Sequence, residues 1–164
     1  MRQTILHIFI LLLTYGSLFA QESPQDLGNQ VFTFLKTKDY EALSKLTPKP
    51  NEALNYYRSI DSTVFQNEKE FKRKYITRDS IFVEKCIAIM MGKAKIDFKS
   101  ATLVDIKYLE KPYGQAQNGK KLTRNYLEIY FLSENKKYSL QFRDIRKFGN
   151  VWKLGESVRI KEEE

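Results

Sequence analysis

Histidine and cysteine are almost missing from this chain: His7 and Cys86 each stand alone. His7 falls in an apolar N-terminal segment, so everything after it lacks an imidazole. That excludes histidine triads, histidine acid–base dyads and imidazole metal sites. One thiol can neither close an internal disulfide nor furnish a thiolate zinc site. Cys86 lies within an apolar helical pattern, where it reads as a small buried hydrophobe rather than a nucleophile. There is no glycine-rich phosphate loop and no nucleophile elbow. No cofactor and no metal is implied. Carboxylates alone could still do acid–base work if two were held at a suitable separation.

What is present begins with residues 1–20. Arg2 gives a short positive start, residues 5–13 an apolar core, and Ser17-Leu18-Phe19-Ala20 a small-residue exit before Gln21. This is the layout of a cleavable secretory signal. The apolar run is short for a membrane span, which takes about 20 residues. An uncleaved N-terminal anchor is the alternative. No cysteine stands at the exit to accept a lipid. The expectation is an exported protein, periplasmic or secreted, with no membrane span after cleavage and a single domain over residues 21–164.

Of 28 basic residues, loss of Arg2 leaves 27 against 20 acidic ones, a net charge of +7. Such a surplus can mark an anionic partner: acidic polysaccharide, a membrane surface or nucleic acid. Export argues against nucleic acid. The basic residues are also spread out, with Lys120-Lys121 and Lys136-Lys137 at expected loops, and basic edges discourage strand-to-strand aggregation.

The first half reads as helices. Ser23-Pro24-Gln25-Asp26 is a cap followed by proline at the first helical position, and Leu27, Val31, Phe34 and Leu35 form a stripe. Asp39 caps a second helix with Tyr40, Leu43 and Leu46 on its face, ended by Thr47-Pro48-Lys49-Pro50. Asn51 is the expected cap of a third helix, to about Ile60, with Leu54 and Tyr57 inward. Residues 65–75 and a segment capped by Asp79 form two more. The latter carries Phe82, Cys86, Ile89 and Met90 and stops at Gly92. Residues 81–91 are apolar enough to read as a strand as well.

The second half reads as antiparallel strands. A two-residue turn at Glu134-Asn135 pairs Phe131 with Tyr138, Ile129 with Leu140 and Leu127 with Phe142 on one face. A one-residue slip would scatter those pairs. The other face then carries Tyr126, Glu128 and Tyr130, with Tyr126 set for a cation–π contact with Arg143. A three-residue turn at Phe148-Gly149-Asn150 places Leu140 opposite Val158 and Tyr138 opposite Ile160. Trp152 and Leu154 continue the core face. Val104, Ile106 and Tyr108 supply the first strand, joined to the second by a loop over 112–122, and the acidic tail 162–164 is frayed. Lys107, Arg143 and Lys153 go to the polar face. The predicted class is α+β: N-terminal helices (about 24–95) on one face of a curved, cone-like, four-stranded antiparallel meander (about 101–160).

That register leaves Asn125, Asp144, Arg146 and Glu156 on the otherwise apolar face, with Asp144 between Asn125 and Leu154. Unpaired buried charge is expensive, so these groups are paired, solvated or lining a cavity. A bulge near Gly155 would instead turn Glu156 outward. The candidate binding residues are Asn125, Tyr126, Asp144, Trp152 and Glu156.

The opening helix, the Lys38-Asp39-Tyr40-Glu41-Ala42-Leu43 segment and the closing Gly149-Asn150-Val151-Trp152-Lys153-Leu154 together resemble the nuclear transport factor 2-like superfamily, of the cystatin-like α+β class. Small exported bacterial members are the nearest in kind. The resemblance spans most of residues 24–160. It implies a sheet wrapped into a cone with an interior pocket, in proteins that include isomerases, dehydratases, carriers and interaction domains. Enzymatic members often pair Asp with His, and this chain has no histidine after the leader, so no catalytic residue carries over. The helical middle, 51–95, is longer than the pattern implies. The expected function is a non-catalytic exported domain binding a small ligand or a protein. A carboxylate enzyme of isomerase or hydrolase type using Asp144 and Glu156, and a structural accessory domain, are the alternatives.

Overall fold

In the computed structural model, residues 22–60, 67–89, 96–115, 119, 121–155 and 157–163 are described. The expected signal sequence, Met90, Gly92, Lys120 and Glu156 lie outside the described residues.

Helix α1 (Pro24–Thr37) begins as its sequence dictates. Ser23 Oγ accepts the Asp26 N–H at 3.1 Å, and Asp26 Oδ2 accepts the Ser23 N–H at 3.0 Å. Reciprocal caps of this kind are worth about 1 kcal/mol. Its buried face is Leu27, Gly28, Val31, Phe32 and Leu35. Phe34 was expected in that stripe, but Phe32 takes the place and brings its ring to 5.7 Å from Phe131. Phe34 is only partly buried beside the core. Lys38, in the left-handed region at φ 56°, closes α1. Asp39 Oδ1 accepts the Ala42 N–H at 2.9 Å and opens α2 (Tyr40–Lys45), as expected.

The middle differs from expectation in two ways. Helix α3 (Pro50–Ile60) starts at proline rather than behind an Asn51 cap, and Glu52 Oε2 accepts the Lys49 N–H at 2.7 Å instead. Proline suits that first position because its missing N–H would have no helical partner. The two further helices are one, α4 (Glu68–Ala88), capped by Asn67. No glycine or proline interrupts it, and Glu68–Lys72 and Glu70–Lys74 pair one turn apart near its start. Asp79 is therefore a mid-helix residue, not a cap. Residues 81–88 are helical and not a strand. Among its described side chains, Phe71, Tyr75, Phe82 and Cys86 are buried. Burial raises the Cys86 thiol to about 12, in keeping with an inert apolar role.

Strands β1 (Thr102–Gln115), β2 (Lys121–Ser133), β3 (Lys136–Arg143) and β6 (Ser157–Glu163) form one antiparallel sheet in the order β1-β2-β3-β6, not closed into a barrel. The fold is α+β, with the helices preceding the sheet. The β2–β3 register is the expected one: Leu127↔Phe142, Ile129↔Leu140 and Phe131↔Tyr138. Glu134 and Asn135 take φ of 51° and 64°, the pair of left-handed residues that a tight hairpin matched to strand twist requires. Leu127, Ile129, Phe131, Leu140 and Phe142 are essentially inaccessible. Burial of each contributes about 1.5–3 kcal/mol.

Other strand expectations are corrected. A bulge between Leu103 and Asp105 turns Val104 outward, to 50 % exposure. Strand β1 runs on to Gln115 and β2 starts at Lys121, so the expected loop over 112–122 is mostly strand. Lys136 and Lys137 open β3, and the tail is strand as far as Glu163. β3 does not turn directly into the last strand. A separate two-stranded ribbon, β4 (Arg146–Phe148) and β5 (Val151–Lys153), intervenes around a two-residue Gly149-Asn150 turn. The inserted residues shift β6 by two, giving Leu140↔Ile160, Phe142↔Val158 and Tyr138↔Glu162. A shift of two keeps each residue on its face, which is why the apolar pattern could not detect it.

Gly28 sets the distance between α1 and the sheet. A Cβ there would lie 2.7 Å from Ile106 Cγ2 and 3.0 Å from Cδ1. Gly28→Ala is expected to lower stability by about 1–2 kcal/mol through overpacking, despite its better helix propensity. In an Ile106→Ala background the same change should become neutral or stabilising. Urea unfolding of the four proteins measures this coupling.

Candidate functional site

The chain leaves the sheet at Asp144. Its N–H donates to Asn125 O at 2.8 Å, and its backbone takes φ 65°, a conformation aspartate tolerates better than most residues. The turn aims the chain into the ribbon. The return leg passes close by at Gly155, where a Cβ would stand 2.2 Å from Arg143 O and 2.4 Å from Asp144 O. Both atoms are backbone and cannot swing aside, so only glycine permits this passage.

Three arginines surround the Asp144 carboxylate. Arg124 Nε donates to Oδ1 at 3.0 Å, Arg143 Nε lies 3.3 Å from Oδ2, and an Arg146 terminal nitrogen lies 4.0 Å from Oδ1. The Arg143 contact is close but misaligned, leaving its buried Nε without a hydrogen bond. Tyrosine rings hold two of the guanidiniums. Arg124 sits 4.6 Å from the Tyr113 centroid, and Arg146 sits 5.0 Å and 4.7 Å from those of Tyr56 and Tyr57.

Behind Asp144 lies a cavity of about 20 Å³ lined by Pro48, Tyr57, Tyr75, Arg146, Leu154 and Gly155 among others. A neighbouring one of about 10 Å³ reaches Thr47, Asp79 and Phe82. One water occupies about 10–15 Å³ on such a measure, so neither space admits an organic ligand. Two roomier clefts, of about 340 Å³ and about 560 Å³, open at the surface on either side of the ribbon and share Glu52 and Phe148. There Lys153 reaches Glu52 at 2.8 Å. Burial pushes the Glu52 carboxyl up, but the Lys153 ammonium and the Lys49 N–H outweigh it and hold the group below its ordinary value.

The expected site residues separate accordingly. Asn125 and Asp144 do come together, and Asn125 Oδ1 is buried without a hydrogen-bond partner. Tyr126 lies on the opposite sheet face from Asn125, where it hydrogen-bonds with Arg124. The cation over its ring is Lys111 at 5.2 Å, not the expected Arg143. Trp152 packs edge-on against Tyr108 at 5.4 Å and lines neither small cavity. Lys153 turns to Glu52 on α3 instead of joining the polar sheet face. Leu154 donates its N–H to Leu46 O at 2.8 Å, so Gly155, not Leu154, abuts Asp144. Glu156, the other half of the carboxylate pair, lies outside the described residues. Sequence reading missed Arg124, Tyr56 and Tyr57. Arg124 alternates in phase with Tyr126, a signal that could have found it.

Among the described residues, the helices pack on the inner face of the sheet and none packs on the outer one. Tyr130 is at its centre, with its hydroxyl donating to Glu128 Oε2 at 2.7 Å and Lys107 and Lys137 over its ring at 4.9 Å and 5.6 Å. Gln141 Nε2 donates to Glu128 Oε1 at 2.6 Å. By register this face also presents Lys111, Arg124, Arg143, Arg159 and Lys161, against acids at Asp105, Glu128 and Glu163. Among the described residues, no three His, Cys, Asp or Glu side chains are placed to hold a metal, and no helix is long and apolar enough to cross a membrane. No protein-family model, curated protein or solved structure matches this chain.

Asp79 is half-buried in α4. Desolvation raises its carboxyl above the ordinary value and a hydrogen bond with Thr47 offsets this only in part. A raised acid favours the fold while protonated, below about the unfolded value of 3.8, and that contribution is lost as pH rises through the folded value. Asp79→Asn, which keeps the size and a hydrogen bond to Thr47, should raise Tm at neutral pH and flatten this part of the Tm–pH profile. Calorimetric scans from pH 3 to pH 8, roughly the range over which carboxylates titrate, would show it. A lower Tm at neutral pH for the variant would contradict the assignment.

Proposed function

We propose that this protein is an exported, non-catalytic binding domain that meets its partner with the outer face of the sheet, on the general plan of the small exported nuclear transport factor 2-like proteins. The observation carrying this reading is the contrast between the two faces. On the inner one, among the described residues, the space beside Asp144 is about 20 Å³ and a neighbouring one beside Asp79 is about 10 Å³. On the outer one no described helix packs, and Tyr126 and Tyr130 lie among lysines and arginines. The Asp144 carboxylate is occupied by arginines, which favours binding over carboxylate catalysis. The leader-like residues 1–20 supply the export part of the proposal.

A photoreactive phenylalanine analogue tests the faces directly. Placed at Gln141 or Lys161 in cells that make the protein, it should yield a discrete adduct that disappears when Tyr126 and Tyr130 are both changed to Ala. Placed at Phe32 or Tyr108 it should yield none. Adducts confined to the inner positions, or a small molecule retained by the purified protein, would overturn the surface reading. Mass spectrometry of the extracytoplasmic protein should find Gln21 at its N-terminus, and finding an intact Met1 in the cytoplasm would remove the export part.

A further inference from the structure

We infer that Arg124 and Arg143, backed by Arg146, form a receptor for an oxyanion, the sulfate or carboxylate of an acidic glycan lying along the outer sheet face. The inference rests on the surface-binding reading above and names the chemistry of its partner. Among the described residues, three permanent positive charges share the single carboxylate of Asp144. Like charges this close repel, and one carboxylate offsets one of them. Donors also outnumber acceptors. Arg143 Nε makes no hydrogen bond, and Arg146 comes no nearer to Asp144 than 4.0 Å. A second oxyanion would supply the missing charge and accept from the terminal guanidinium nitrogens, since Arg143 Nε itself is buried. The side chains of Arg124 and Arg143 are 30 % and 40 % exposed, so such a group can reach them.

The guanidiniums are also held ready. Tyr113 supports Arg124, Tyr56 and Tyr57 support Arg146, and Asp144 is fixed by its left-handed backbone and the Asn125 hydrogen bond. Preorganised donors lose little freedom on binding, and guanidinium forks match sulfate and carboxylate oxygens in pairs. Position indicates a polymer. The cluster lies at one end of a face that carries Lys107 and Lys111 on the adjoining strand, a spread of cations suited to a chain of repeated negative charge. For a protein that leaves the cell, that chain is an acidic glycan rather than a nucleic acid.

Isothermal titration of the exported protein with a sulfated hexasaccharide, an oligogalacturonate, inorganic sulfate at matched ionic strength and a DNA oligonucleotide tests this. At least one acidic oligosaccharide should bind. Arg124→Gln and Arg143→Gln should each weaken it at least tenfold, whereas Arg159→Gln, elsewhere on the face, should weaken it less than threefold. Asp144→Asn should tighten binding several-fold, because asparagine also tolerates the left-handed backbone while removing the competing carboxylate. A purely structural arginine cluster would show no such gain. Circular dichroism checks that each variant folds. Equal losses at Arg159 and Arg124, unchanged binding in the arginine variants, or loss of binding in a folded Asp144→Asn variant would overturn the receptor. Inorganic sulfate binding as tightly as either oligosaccharide, or DNA binding more tightly, would overturn the glycan. Inner-face adducts together with arginine-dependent oligosaccharide binding would sink the broader surface reading and leave the receptor standing.

Discussion

The pairing of β2 with β3 is the constraint on which the other features depend. Leu127, Ile129 and Phe131 on one strand and Phe142, Leu140 and Tyr138 on the other make a continuous apolar stripe. Phe131 is its hub, with Phe32, Phe98 and Tyr138 around it. Because side chains alternate, this one register decides the destination of every neighbour. It sends Arg124, Tyr126 and Tyr130 outward and leaves Asn125 inside, short of the helices. A slip by one residue would exchange the two sets and dissolve core and basic face together.

The second controlling feature is the departure from the sheet at Asp144. A left-handed residue there, and a glycine where the chain returns, convert what would have been a simple hairpin into a sheet with a ribbon attached. The ribbon is not free. Lys153 reaches Glu52, and Phe148 lies 5.3 Å from Tyr56, so α3 and the ribbon clasp each other. Arg146 enters this clasp from β4 and places its charge beside Asp144. The candidate site is thus a by-product of how the chain exits the sheet, assembled from β1, β2, β3, β4 and α3.

Much of the architecture was legible because its causes are local. Ser23 with Asp26, Asp39, and the Glu134-Asn135 turn act within a few residues, and alternation over 127–142 is strong enough to fix both face and register. The errors share a different origin. Val104 was misplaced because a bulge breaks alternation without changing composition. The two-residue shift of β6 conserved every face and left no trace in the pattern. Asp79 looked like a cap because its type suits one, while the absence of any breaker across residues 68–88 carried the helix through it. Asn125 and Asp144 were found as polar groups in an apolar phase. Arg146 belongs to the same group, but its convergence with Arg124 and Arg143 on Asp144 does not show, since it depends on a backbone reversal that spacing cannot reveal.

The clasp also bears on the order in which the molecule is completed. Leu154 donates its N–H to Leu46 O, and Lys153 meets Glu52 across about a hundred intervening residues. The loop that such contacts close is nearly the whole chain, and its closure entropy must be met before they return anything. Leu46, which ends α2, and Glu52 on α3 therefore gain these partners only once β5 is present. A chain still missing β5 lacks both of these contacts, and the ribbon supplies them.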